Sequence, residues 1–240
     1  MANTTLPTAP IAGITFPITP LTKSALAHIQ TKNIPSTVNH TVRSAIFALI
    51  IASKHPGLST VDHEAVATAI LLHDLGWSKD PDCRSRDKRF EVDGAIAAKN
   101  WLASSVEAKN AAAVGGDLNA IWYAIALHTT PSVSLHSPDP VVVATALGIV
   151  ADFLGPHTPG GLITEEEFKE VLAAYPRVGF KEDMLEIMCG LCREKPETTF
   201  DNFVGDIGRK WVEGYEEQWE RRRFERTVWK VLEGNGALES

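Results

Sequence analysis

Cysteine is scarce in this chain, with 3 among 240 residues: Cys83, Cys189 and Cys192. So few thiols cannot build a disulfide framework, and they suit a reducing compartment, so a cytoplasmic protein is expected. Cys189-Gly190-Leu191-Cys192 has no second pair and no strand-turn-helix context, and reads as buried structural thiols. Long apolar runs are also missing. The longest, Ala45 to Ala52, falls far short of the roughly 20 residues a bilayer span needs. Basic charge is in deficit. A net charge of −7 argues against nucleic acid or an anionic membrane as the main partner and leaves a small-molecule substrate. Met1 to Pro20 contains no Lys or Arg and is broken by Pro7, Pro10, Pro17 and Pro20. This stretch is expected to be a flexible arm (residues 1–20), not a signal peptide. No strand alternation, internal repeat or low-complexity tract is found.

What the chain does have is helical punctuation and enough apolar content, 44%, for one sizeable core. The expected fold is all-α. It is one helical bundle over residues 21–240, with a core at about 36–155 and a helical extension at 160–235. Helices are expected over Leu21 to Thr31, from Pro35-Ser36-Thr37 to Lys54, and from an Asp62 cap to Gly76. Others follow from Arg89 to Ser105, from Asp117, after a break at Gly115-Gly116, to His128, and from Pro138-Asp139-Pro140 to Asp152. Thr164-Glu165-Glu166-Glu167 reads as a capping box. Trp211, Tyr215, Trp219, Phe224 and Trp229 recur at helical spacing near the end. They read as core packing, with a homodimer face as the alternative.

The most informative feature is His73-Asp74, closing the apolar run Ala69-Ile70-Leu71-Leu72. An ionisable pair on a buried stripe is costly without a partner. A divalent ion compensates, because imidazole and carboxylate are both good ligands for zinc, iron or manganese. Other helices supply matching groups. His128 follows Ile121, Ala124 and Ile125 on one stripe. Asp152 closes the uncharged run that begins at Val141. His40 sits one turn before Ser44 and Phe47. Each alone is open to a blander reading, as a satisfied core histidine or a helix-terminal carboxylate bonded to backbone N–H groups. The ordered set of His, His-Asp, His and Asp on successive helices points jointly to a metal site.

This set resembles the HD-domain superfamily of metal-dependent hydrolases. The local stretches Val38-Asn39-His40-Thr41-Val42-Arg43, Leu71-Leu72-His73-Asp74-Leu75-Gly76 and Arg89-Phe90-Glu91-Val92-Asp93-Gly94 resemble its cyanamide hydratase-like branch, as do Leu127-His128 and Asp152-Phe153. The resemblance departs at Thr129-Thr130, where that branch has Gln-Asp, and at Glu91, where it has Asp. It implies His40, His73, Asp74 and Asp152 as metal ligands, His128 in the active site, and a homodimer.

With His and carboxylate donors and no thiolate, the set is of the open, hydrolytic kind. A single divalent ion is expected, zinc first and iron second, to acidify a water for attack on a nitrile- or cyanamide-like carbon, giving an amide or urea. His128 and Asp74 are the candidate catalytic residues, and His128, Thr129 and Glu91 the candidate substrate-binding ones. Glu91 and Asp93 read either as partners of a ligating histidine or as surface residues of a helix start. The alternative is a phosphohydrolase, with Arg43 and the loop of Lys79, Arg84, Arg86, Lys88 and Arg89 around a phosphate. A third reading, a di-iron oxygenase, needs His128 plus His136 or His157 on a second metal.

Overall fold

A computed structural model describes residues 4–110 and 118–235. Among them there are thirteen α-helices and no strand, only an isolated bridge between Ile11 and Ile14. The helices are α1 (Pro20–Lys32), α2 (Pro35–Lys54), α3 (His63–Leu72), α4 (Phe90–Ser104), α5 (Val106–Asn110), α6 (Leu118–Leu127) and α7 (Pro131–Ser134). They continue as α8 (Pro140–Leu154), α9 (Glu165–Ala174), α10 (Phe180–Glu194), α11 (Phe203–Trp211), α12 (Tyr215–Arg222) and α13 (Phe224–Asn235). The expected break at Gly115-Gly116 and the Asp117 cap lie outside the described residues. The chain falls into two compact units, one of residues 1–85 and 90–180, the other of 86–89 and 181–240.

The first unit is organised by α2, whose residues from Val38 to Ala52 are almost all buried. Pro35 starts it where a missing N–H costs nothing. Asp62 caps α3 by accepting from Glu64 N and Ala65 N. Asp139 and Pro140 open α8, and Gly155, at φ 54°, closes it. α2 and α8 touch almost backbone to backbone at Gly148. A Cβ there would stand 2.5 Å from Ala48 Cβ and 2.6 Å from Ser44 O. The stretch Pro140–His157 is apolar enough to cross a membrane by length and composition, but 61% of it is buried inside the protein.

Two details differ from the sequence reading. The third helix does not run to Gly76. It ends at Leu72, and His73–Trp77 forms a tighter 3₁₀ turn with Asp74 at φ −96°, ψ 19°. The turn is pressed against the start of α4, since a Cβ on Gly76 would lie 2.0 Å from Phe90 O and one on Gly94 would lie 2.9 Å from His73 O. Gly76→Ala is therefore expected to destabilise by about 1–3 kcal/mol, because backbone rather than a flexible side chain must move. An unchanged midpoint in urea denaturation would contradict this contact.

The second difference is the N-terminal arm. Residues 4–19 are packed, not loose: Leu6 and Phe16 are buried, and Tyr175 Oη–H donates to Thr5 O at 2.8 Å. Ala12 N donates to Glu170 at 2.7 Å, and Thr4 Oγ1 donates to Asn39 at 2.6 Å. The prolines prevent a helix there, but the apolar side chains between them still bury.

In the second unit Tyr215 is fully buried against Gly205 and Gly208 and shares a 2.6 Å hydrogen bond with Thr199. Cys189 and Cys192 are buried free thiols, as is Cys83 in the first unit. The aromatic series is not uniformly core. Trp219 Nε1–H donates to Phe200 O, whereas Trp211 and Trp229 are exposed. The side chain of Phe224 lies outside the described set.

Candidate metal centre

The 3₁₀ turn after α3 presents His73 and Asp74, and the first turns of α2 bring His40 beside them. Ligand atoms of His40, His73 and Asp74 lie within 4.8 Å of one another, and all three residues are buried. Asp74 Oδ2 is 3.1 Å from His73 Nε2 and 3.7 Å from His40 Nε2.

Hydrogen bonding at the far side of each ring decides what faces inward. His73 Nδ1 lies 2.7 Å from Ile70 O. A carbonyl can only accept, so Nδ1 carries the proton and Nε2 turns a lone pair toward Asp74. His40 Nδ1 donates to Asp152 Oδ2 at 2.6 Å, which leaves its Nε2 facing Asp74 in the same way. His73 Nε2 and both Asp74 oxygens are buried with no hydrogen-bond partner among the described residues. Buried lone pairs and a carboxylate that face one another repel unless a cation stands between them. The donor set therefore fits a divalent metal, with two neutral imidazoles and one carboxylate.

Charge at the site agrees. Burial opposes ionisation of both His73 and Asp74, but each one's charge outweighs it for the other, so the imidazole is raised and the carboxyl lowered. The same pairing favours a proton at His73 Nε2 beside Asp74, a place that a bound cation would take instead. Burial lowers the His40 imidazole despite Asp152.

Asp152, expected as a fourth ligand, stands beside the group rather than in it. It is fully buried on α8, but it does not join the group of three. One oxygen accepts from His40 Nδ1, and Arg43 grips both, Nε to Oδ1 at 2.7 Å and Nη2 to Oδ2 at 2.9 Å. Arg177 Nη2 adds a contact at 3.3 Å. Burial would raise this carboxyl, but His40 and Arg43 overcome that and hold it far below the usual range. In this arrangement Asp152 fixes the orientation and tautomer of His40, as a partner behind a ligating imidazole would. Arg43, read from sequence as a phosphate cation, is wholly buried, and its remaining Nη1 reaches Tyr175 O at 3.2 Å.

His128 lies beside the group, its ring 4.8 Å from that of His73 in a T-shaped contact. Its Nδ1–H donates to Ile125 O at 2.6 Å. Burial and then the neighbouring His73 push its pKa down to about 4, so the ring is neutral. Glu91 is no surface residue. It is fully buried and accepts from Thr129 Oγ1 at 2.5 Å. Asp93 accepts from Ser85 N at 3.0 Å. His136 and His157 are exposed and outside the group, so the second metal of the oxygenase reading finds no support from them.

The sequence reading missed the rings around His40. Phe180 stacks at 4.7 Å, Phe153 tilts at 5.2 Å and Trp77 lies parallel at 6.1 Å. Phe90 meets both Trp77 and His128. Phe153 is 44% exposed, so this wall reaches the surface there. Their aromatic character was legible, but they come from separate segments with no shared period.

The first unit is thus an all-α domain with a buried His-His-Asp group, at the junction of α2 and the turn after α3, that could hold a divalent metal. Residues 37–151 match the HD domain family. The match and the group together support a metal-dependent hydrolase of the HD superfamily. No curated protein matches the chain.

Proposed function

We propose that this HD domain hydrates a small, neutral, unsaturated substrate carrying a nitrile- or cyanamide-type carbon. The observation that carries this reading is the aromatic wall of Trp77, Phe90, Phe153 and Phe180 around the histidines, with Arg43 and Arg177 both engaged by Asp152. Apolar walls with few polar groups suit a small neutral molecule. A phosphate would call for free cations at the same place.

His40, His73 and Asp74 would hold the ion, zinc or iron, and it would supply water acidified toward neutrality. The reaction adds one water across the carbon–nitrogen triple bond: oxygen goes to carbon and both protons end on nitrogen, giving an amide or urea. His128 offers Nε2 as an acceptor, because its Nδ1–H is tied to Ile125 O. A base at about 4 lies well below the working pH at which proton abstraction is most effective. Its role is therefore to orient the attacking water or a substrate N–H. Thr129 and Glu91, bonded to each other, sit beside it in sequence and charge.

His128→Ala is expected to keep the metal while kcat/KM falls by about 10²-fold or more. Elemental analysis and turnover on the same preparation check this, and a metal-free variant would make His128 a ligand instead. The reading as a whole is tested by offering cyanamide, simple nitriles and nucleoside monophosphates to the metal-loaded protein. Hydration of the first two supports it; phosphate release from the third replaces it with a phosphohydrolase.

A further inference from the structure

Trp77 follows the His-Asp-Leu-Gly turn directly and is only 6% exposed. Its indole nitrogen, which can only donate, is buried and has no hydrogen-bond partner among the described residues. This is unusual. Nearly all buried donors are satisfied, and an orphan in a native fold calls for an explanation. The half-buried indole of Trp219, by contrast, finds a carbonyl at 2.9 Å. The ring contacts of Trp77 are made with aromatic faces and do not use its N–H. They are His40 at 6.1 Å and 8°, Phe180 at 6.5 Å and 24°, and Phe90 at 6.0 Å and 55°. Those same rings form the wall beside His40. The indole therefore belongs to the wall beside the metal group.

We infer that Trp77 Nε1–H is a specificity-determining donor, completing its hydrogen bond only on the substrate. It selects a small molecule with a compact acceptor, such as a nitrile or cyanamide nitrogen or the oxygen of the amide product, and rejects an isosteric hydrocarbon. A site built to bond a polar atom discriminates strongly against ligands lacking it, since the buried group is then left unpaired. The inference rests on the hydratase reading for the identity of that acceptor, while the donor role itself depends only on the geometry.

The test uses Trp77→Phe, which keeps an aromatic ring and removes the N–H, in the zinc-loaded 240-residue chain. Metal content is expected to match wild type, and the unfolding midpoint to stay within a few degrees, because no protein hydrogen bond is lost. KM for cyanamide is expected to rise roughly tenfold, the worth of one buried hydrogen bond, with a smaller change in kcat. The second readout is independent of turnover. In ¹⁵N-tryptophan-labelled, zinc-loaded wild type, the indole signal absent from the Trp77→Phe spectrum should move downfield as cyanamide or urea is added. An unmoved Trp77 signal at saturation, or an unaltered KM in a variant of unchanged metal content, would overturn the donor role. If the wild type turns over no nitrile or cyanamide, the hydratase reading fails on its own. The Trp77 signal, titrated with cyanamide, urea and adenosine monophosphate in turn, then still decides the donor role: a downfield shift with any of them supports it, and no shift with all three overturns it.

Discussion

Asp74→Asn is expected to yield a folded protein that no longer retains a divalent ion. The carboxylate stands between His40 Nε2 and His73 Nε2 and has no hydrogen-bond partner to hold it there. Removing its charge takes away the only anionic donor of the group, and the loss of metal affinity should exceed the 10–100-fold typical of changing a partner behind a ligand. Stability of the metal-free protein should fall modestly, because Asp74 and His73 no longer offset each other's burial. The parallel variant Asp152→Asn separates two roles. As the partner of His40 Nδ1 it should weaken metal binding by about 10–100-fold; as a direct ligand it would abolish binding as fully as Asp74→Asn. Metal per chain after dialysis against graded chelator distinguishes them, and wild-type retention by Asp74→Asn would dismantle the proposed group.

Arg43→Met is expected to cost about 3–5 kcal/mol, the largest stability effect in the chain. Arg43 is fully buried and supplies two of the donors that hold the buried Asp152 carboxylate. Removing it strands that charge. The double variant Arg43→Met/Asp152→Leu should recover most of the loss, because a buried ion pair replaced by apolar groups of similar size is often neutral or stabilising. It should not recover metal affinity, since His40 then lacks the acceptor that fixes its tautomer. Urea denaturation of the metal-free forms, with metal affinity measured alongside, tests both halves. A single variant within about 0.5 kcal/mol of wild type would show that the pair is not the buried constraint described here.

Much of this site could be read before any coordinates. His40 and His73 each stand on a stripe of apolar residues at helical period, and such stripes bury; Asp74 follows His73 directly. That they would meet followed from their chemistry, because no single one is tolerable inside a core alone. Asp152 passed the same test, and its burial was anticipated correctly. Its direction was not legible. Whether a buried carboxylate faces the metal or the back of a ligating imidazole depends on how α2 crosses α8. That crossing is set by the contact of Gly148 with Ala48 and Ser44. Arg43 was visible as a cation one turn after His40, but a one-dimensional pattern cannot show that its guanidinium turns inward to Asp152.

The sequence by itself determined the helical class, the burial of the histidines and carboxylates, and the chemistry of the donor set, since each follows from local period, caps and the cost of burying charge. It also contained the glycines of His-Asp-Leu-Gly and Val-Asp-Gly, though not their reason: the turn after α3 and the start of α4 meet backbone to backbone at Gly76 and Gly94. Only the tertiary structure decided that three residues rather than four converge, that Asp152 and Arg43 stand behind His40, and that Trp77, Phe90, Phe153 and Phe180 close around it. These are relations between segments far apart in the chain. Their angles and distances are fixed by interhelical packing, which leaves no period in the sequence of any one helix.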